Sequence, residues 1–247
     1  MIIFRSGLAE SKSKVIFEPC FPNYIYLYPV KILITAATDI EIASLKKVVA
    51  KNSTLKKKLD FLVTGVGTTA TAYHLVKMLF EEEFDFAVNV GLAGSFKKEI
   101  SIGEVVHVIS DCFADLGAEN GNNFLTLAEM GLQKKNQFPF RNQKLFNAPP
   151  KKEPALKQLK QVNAITVNTV HGNETGRKSA VKKFNPDIET MEGAAFFYVC
   201  KLEKIPCIQL RAISNTVGVR DKRRWNIPLA LKNLTQVTFD FLRAKHS

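Results

Sequence analysis

Residues 61–83 read FLVTGVGTTATAYHLVKMLFEEE. An apolar run, Phe61–Val66, passes through the small, permissive Gly65-Val66-Gly67. A helical stretch, Thr68–Glu83, follows at once, with threonine at its start as a candidate cap. A strand that is apolar on both faces suits the interior of a mostly parallel sheet. Outward from this unit, runs of the same kind recur at Lys31–Thr38, Phe86–Val90, Val105–Ile109, Ala164–Val170 and Cys207–Ile213. Two more helical stretches follow: Glu192–Ile205, closed by Pro206, and Pro228–Lys245, with proline in its first turn. Alternating strands and helices predict α/β layering. No internal repeat is present.

The chain's 247 residues, 46% of them apolar, suit one large domain with a sizeable core. That domain is expected to span residues 31–247. Residues 1–30 mix Phe, Tyr and Pro without a clear period and read as an N-terminal extension. No run approaches the roughly 18–20 apolar residues of a membrane span. The opening MIIFRSGLAESKSK lacks an h-region and a cleavage site, so a cytoplasmic protein is expected. Cys20, Cys112, Cys200 and Cys207 form no CxxC pair, in keeping with a reducing compartment. No His/Cys cluster suggests a metal, and no cofactor is expected.

The 35 basic and 23 acidic residues give a net charge of +12, which alone would permit nucleic-acid binding. Its distribution argues otherwise. Residues 133–161 hold Lys134, Lys135, Arg141, Lys144, Lys151, Lys152, Lys157 and Lys160 against Glu153 alone. One Pro- and Asn-containing excursion thus carries much of the excess, and no nucleic-acid-binding motif accompanies it. A solvated face, or steering of an anionic ligand, is the expectation.

Ligands of open α/β sheets collect at the carboxyl ends of the strands. Gly65-Val66-Gly67 starts like a dinucleotide fingerprint but lacks its third glycine and its distant acid, which speaks against a nicotinamide cofactor. Gly91-Leu92-Ala93-Gly94 reads as a second strand-to-helix turn. Two such segments near carboxylates suggest backbone packed against a small ligand. Glu41 follows the first strand, and Glu192 lies where a strand meets a helix. Taken singly, each also reads as an ordinary helix carboxylate. Taken together they suit nucleoside cleavage. That reaction needs a base to activate water, for which Glu41 is the candidate. It needs a hold on a sugar that becomes cationic, for which Glu192 is the candidate. It also needs recognition of the leaving purine, for which Arg211-Ala212-Ile213-Ser214-Asn215 is the candidate.

These segments resemble the nucleoside phosphorylase and nucleosidase superfamily, from about Lys31 to the C-terminus. The matching pieces stand in the family's order: the acidic loop ending in Glu41, TGVGTTATA (64–72), NVGLAGSF (89–96), SIGEVV (101–106), Glu189-Thr190-Met191-Glu192-Gly193 and RAISN (211–215). The resemblance implies a three-layer sandwich around a mixed, mostly parallel sheet. It implies that Glu41 activates water and that Met191 and Glu192 hold the ribose. It also implies that Gly67, Ala93, Gly94 and Val170 line the substrate, and that the protein forms a homo-oligomer, commonly a dimer.

Two departures narrow the reaction. The phosphorylases carry a phosphate-binding arginine where this chain has Asn89, and the first loop offers acids instead, so water is expected as acceptor. Adenosine-type nucleosidases have aspartate after RAIS, whereas this chain has Asn215. A protonated adenine offers two donors to a carboxylate. A 6-oxopurine offers N7–H and accepts at O6, which an amide side chain matches. The stretches ADLGAENGNNFLTLAEMGL (114–132) and SNTVGVRDKRRWNIPLAL (214–231) resemble the futalosine hydrolase family, whose substrate is similar to inosine with an acidic aromatic 5′ group. That resemblance implies hypoxanthine release in menaquinone biosynthesis. A benzoate tail would want a cation beside an aromatic or apolar wall, so Arg220 or Arg224, near Trp225, is expected to meet its carboxylate. A methylthioadenosine-type nucleosidase and a basic nucleic-acid-binding protein that keeps the fold are the competing readings. Asn215 opposes the first of these, and intact Glu41, Met191 and Glu192 oppose the second. His171 reads as a structural or surface residue with an alternative role in the base pocket or as an acid. His107 reads as a hydrogen-bonded core residue, and Phe196-Phe197-Tyr198 as packing.

Overall fold

A computed structural model describes residues 31–121, 123–147 and 154–245. The expected N-terminal extension, residues 1–30, lies outside them. The first strand, β1 (Ile32–Ala36), is buried along its whole length and pairs in parallel with β2 (Leu59–Val63) and β3 (Phe86–Ser95). Between them run α1 (Asp39–Ala50), the short α2 (Ser53–Lys56) and α3 (Thr68–Glu81). The chain continues through β4 (Val105–Asp111), a hairpin of β5 (Gly117–Asn120) and β6 (Asn123–Thr126), and β7 (Leu145–Phe146). It then forms α4 (Pro154–Lys157), β8 (Lys160–Thr166), α5 (Glu174–Phe184), β9 (Ile188–Thr190), α6 (Gly193–Leu202), β10 (Cys207–Thr216) and α7 (Ile227–Lys245).

The large sheet runs β10-β4-β8-β9-β3-β1-β2, and β3 also pairs with β10. The sheet therefore curls until β3 closes a ring through β10, β4, β8 and β9. Pairings β1–β2, β1–β3, β3–β10, β4–β8 and β8–β9 are parallel, while β4–β10, β3–β9 and β4–β7 are antiparallel. This is the mixed, mostly parallel sheet that was expected. One core layer joins β1 and β10 to α1 and α7 through Ile34, Leu45, Leu210, Leu234 and Phe241. The other joins the sheet to α3 and α6 through Leu75, Val108, Ile188, Phe196 and Phe197. Each fully buried Leu or Phe in these layers contributes about 1.5–3 kcal/mol.

Two local expectations need correction. β3 runs unbroken through Gly91-Leu92-Ala93-Gly94, so this segment is strand rather than a strand-to-helix turn. Gly67, at φ +90°, caps α3, and Thr68 is its first helical residue. A side chain at Gly67 would strain the turn, since non-glycine residues avoid this region.

His107 is wholly buried in β4, but neither ring nitrogen has a hydrogen-bond partner among the described residues. Burial pushes its pKa down to about 4. The unfolded chain therefore binds this proton before the folded one, and His107 costs stability as pH falls from about 6.5 towards 4. His107→Leu is expected to gain up to about 3 kcal/mol more on the parent near pH 4 than near pH 8. Chemical denaturation at both pH values checks this; a difference independent of pH would contradict it.

Candidate active site

The carboxyl ends of β1, β2, β3, β9 and β10 open onto one cleft of about 350 Å³. Thr38, Glu41, Ala93, Gly94, Val170, His171, Glu189, Met191, Glu192, Asn215 and Arg220 are among its lining residues. Glu41 is the third residue of α1. Its Oε2 accepts from the Thr38 N–H and the Thr38 hydroxyl, each at 3.0 Å. That is a capping box, which starts α1. Its Oε1 accepts from the Leu92 N–H at 3.0 Å, which ties α1 to β3. Glu192 is the N-cap residue of α6 and is 6% exposed. It accepts from the Gly67 N–H at 3.1 Å. Gly67 thus acts on the site through Glu192 rather than as part of the cleft lining.

Beneath these two acids lies Arg211, in β10 and 1% exposed. Its Nε donates to Gln209 Oε1 at 2.9 Å and its Nη2 to Asn89 Oδ1. Asn89 in turn donates to Thr35 Oγ1 at 2.9 Å. Burial lowers the Arg211 pKa, against which Glu192, Glu41 and Asp111 act as counter-charges. Gly91 leaves the space that the guanidinium occupies, because a Cβ there would fall on Arg211 Nη1 and 2.9 Å from Glu41 Oε1. Asp111, wholly buried, accepts from Thr166 Oγ1 at 2.9 Å and from Gln209 Nε2 at 3.3 Å. Burial pushes its carboxyl up to about 7. Burial also raises Glu192, opposed by Arg211 and the Gly67 N–H and reinforced by Glu41.

Asn215 sits where the pairing of β10 with β3 shifts register, between Ile213 and Asn215. Such an irregularity re-aims a side chain. Its Oδ1 accepts from the Ser214 hydroxyl at 2.8 Å and its Nδ2 donates to the Thr216 carbonyl at 3.2 Å. One lone pair and one N–H of the amide are left over. Gly94 makes the room, since a Cβ there would lie 3.2 Å from Asn215 Nδ2.

The structure thus brings Glu41, Glu192, Met191, Ala93, Gly94, Val170, Asn215 and Arg220 into one cleft. It separates the two arginines: Arg220 lines the cleft, its guanidinium 5.2 Å from the Trp225 ring, whereas Arg224 is exposed on a short 3-10 turn and does not line it. Asn89 faces Arg211 and Thr35 inside the sheet rather than the cleft, so its identity says nothing direct about what the cleft admits. Arg211, expected in the base-recognising segment, is instead the buried cation beneath the acids. Glu189 went unread as a functional residue. It is 5% exposed and paired with the ring of His171, a contact between β9 and a loop that no sequence spacing signals.

Residues 53–243 match the family described as the phosphorylase superfamily. The futalosine hydrolase of Streptomyces coelicolor is 30% identical over 184 residues, covering 71% of this chain and 75% of the relative. That of Thermus thermophilus is 30% identical over 179 residues, covering 71% and 77%. A 5′-methylthioadenosine/S-adenosylhomocysteine nucleosidase of Buchnera aphidicola is 26% identical over 195 residues, covering 73% and 71%. Among solved structures, a nucleosidase of the same name from Helicobacter pylori superposes with TM-score 0.73 at 15% identity, covering 88% of this chain and 99% of that one. The futalosine hydrolase of Helicobacter pylori superposes with TM-score 0.71 at 16% identity, covering 88% and 98%. These two show the shared fold. The chain belongs to the phosphorylase superfamily, and its curled mixed sheet is the fold shared with these relatives. Within the superfamily, its family is that of the futalosine hydrolases.

Glu41→Gln and Glu192→Gln are each expected to lower turnover at least ~100-fold. Glu192→Gln can keep its Gly67 N–H bond through the amide oxygen, whereas Glu41→Gln can keep only one of the Thr38 and Leu92 N–H bonds that its two oxygens accept. Glu41→Gln should therefore lose the more stability, by about 1–3 kcal/mol. Steady-state kinetics beside thermal melts check both; near-parent turnover of either variant would remove the role assigned to that residue.

Proposed function

We propose that the chain hydrolyses the N-glycosidic bond of futalosine and releases hypoxanthine, in the cytoplasm and in menaquinone biosynthesis. The observation that carries this reading is the Asn215 amide, held in the same cleft as Glu41 and Glu192 with one acceptor and one donor left over. Those two groups match the N7–H and O6 of a departing 6-oxopurine. Adenine would set its 6-amino donor against the amide's remaining N–H, leaving a buried mismatch of about 1–3 kcal/mol.

In this reading Glu41 takes a proton from the water that attacks C1′. Glu192 and Met191 hold the ribose, and the buried acid also stabilises the positive charge that grows on the sugar. Water rather than phosphate is the acceptor because Glu41, Glu189 and Glu192 give the cleft an acidic floor. A phosphate dianion placed beside them would be repelled. Arg220, stacked on Trp225 at the rim, offers a cation and an aromatic wall to a benzoate-like 5′ group. A homodimer completes the reading. The face of α3 carrying Tyr73, Val76 and Phe80, which are 64%, 46% and 92% exposed, is an apolar stripe at helical spacing. It adjoins Val66, which lines the cleft.

Base release from futalosine, inosine and methylthioadenosine, each with and without phosphate, tests the proposal. Hypoxanthine from futalosine independently of phosphate is expected, with Asn215→Asp losing at least ~10-fold on it and gaining on methylthioadenosine. Arg220→Met should raise KM for futalosine and leave inosine unchanged. Adenine release as the main activity of the parent would instead favour a methylthioadenosine-type nucleosidase. Sedimentation tests the assembly: the parent should run as a dimer and Phe80→Glu as a monomer, and a monomeric parent would refute it.

A further inference from the structure

An amide at position 215 leaves the reaction short of a proton. When C1′–N9 breaks, its electron pair passes to the purine, which leaves readily only if a ring nitrogen is protonated as the bond opens. Asn215 can orient the base but has no proton to give. Among the described residues lining the cleft, one side chain is built to supply it.

His171 leaves the sheet just after β8 and lines the cleft together with Asn215. Its backbone N–H donates to Glu189 Oε1 at 3.1 Å, and its ring Nδ1 meets Glu189 Oε2. Glu189 itself is 5% exposed, so its carboxylate is a fixed, nearly dry partner. The His171 carbonyl accepts from the Gly218 N–H at 3.1 Å, which ties the loop to the segment that follows Asn215. The ring packs on Phe96, at 6.3 Å between centroids, and a Cβ at Gly176 of α5 would lie 3.1 Å from its Cδ2. A carboxylate can only accept, so Nδ1 carries hydrogen, and Nε2 of this cleft-lining residue has no partner among the described residues. Backbone, carboxylate and packing thus hold the ring and leave one nitrogen for a ligand.

We propose that His171, held by Glu189, is the general acid that protonates the leaving base. This rests on the hydrolytic reading above. The only state of the ring with a proton to give at Nε2 is the imidazolium. Nε2 passes that proton to N7 as C1′–N9 opens, and the N7–H so formed is shared between Nε2 and the Asn215 oxygen. Water bonds to C1′ through oxygen, and Glu41 takes the proton it sheds. The ring becomes the neutral Nδ1–H tautomer, which Glu189 keeps in place, and the proton on Glu41 returns to the imidazole through solvent after the products leave. Glu189 is a positioning residue here, since it acts through His171. The charges that face the ring are Glu189 from β9, Glu41 and Glu192 across the cleft, Arg220 beside Gly172, and Glu174 and Arg177 on α5. Arg177 is engaged by Glu174 at 3.1 Å and by the Phe96 carbonyl at 3.0 Å.

The test compares the parent with His171→Gln, and with the smaller His171→Asn should the first not fold, on futalosine across about pH 5–9. A general acid must be protonated to act, so the parent's kcat is expected to fall on the alkaline side. In the variant kcat should drop ~100- to 10⁴-fold at neutral pH with KM changed less than about threefold, and the alkaline fall should vanish. Glu189→Gln should lower kcat in the same direction by a smaller factor. Retained kcat, a rise in KM alone, or an alkaline fall that persists in the variant would each overturn the proposal. A parent that releases no hypoxanthine would overturn the hydrolytic reading and this inference together. An active parent with an unaffected variant would overturn this inference only.

Discussion

A guanidinium buried among three carboxylates is the constraint around which this molecule is arranged. An isolated charge in a protein interior costs many kcal/mol, so Arg211 is tolerated only because Glu41, Glu192 and Asp111 surround it and its N–H groups are engaged. Asp111, Gln209, Arg211, Asn89 and Thr35 form one connected polar chain through β4, β10, β3 and β1. The acids at its upper end gain a counter-charge that keeps two like charges compatible in one small cleft. The arrangement also dictates glycine at position 91, where any side chain would displace the guanidinium.

The groups assigned to chemistry are also the groups that fold the chain locally. Glu41 closes a capping box at the start of α1, and Glu192 is the N-cap residue of α6. Their backbone partners, Leu92 and Gly67, belong to other βα units, so forming the helices and docking them on the sheet assemble the cleft in the same act. Asn215 follows the same economy. A register shift in β10 aims it, and Gly94 on the neighbouring strand admits it. A cleft preorganised in this way does not have to reorganise as charge develops on the sugar.

The fold was largely legible because its signals are local. Apolar runs such as Ile32–Ala36 declare buried strands, and glycine pairs mark their ends. Each site carboxylate admitted an ordinary helical explanation, and the structure places Glu41 in a capping box and in the cleft lining at the same time. What the sequence hid were relations between distant segments. Nothing near Asn89 tells that its side chain faces Arg211, 122 residues away, rather than the cleft. Nothing near Glu189 announces His171. The unbroken course of β3 through Gly91–Gly94 was concealed because glycines that usually end a strand here make space for the side chains of β10. Arg220 and Arg224 differ by four positions in one basic run, and only the intervening 3-10 turn sends one to the cleft rim and the other to solvent.

The central claim is that this acid-lined cleft delivers water, and not phosphate, to C1′ of a 6-oxopurine nucleoside. The most direct measurement is the mass of the sugar product formed from futalosine in ¹⁸O-labelled water with phosphate present. The account predicts a free sugar carrying one labelled oxygen at C1′, alongside unlabelled hypoxanthine. An unlabelled sugar 1-phosphate would contradict it.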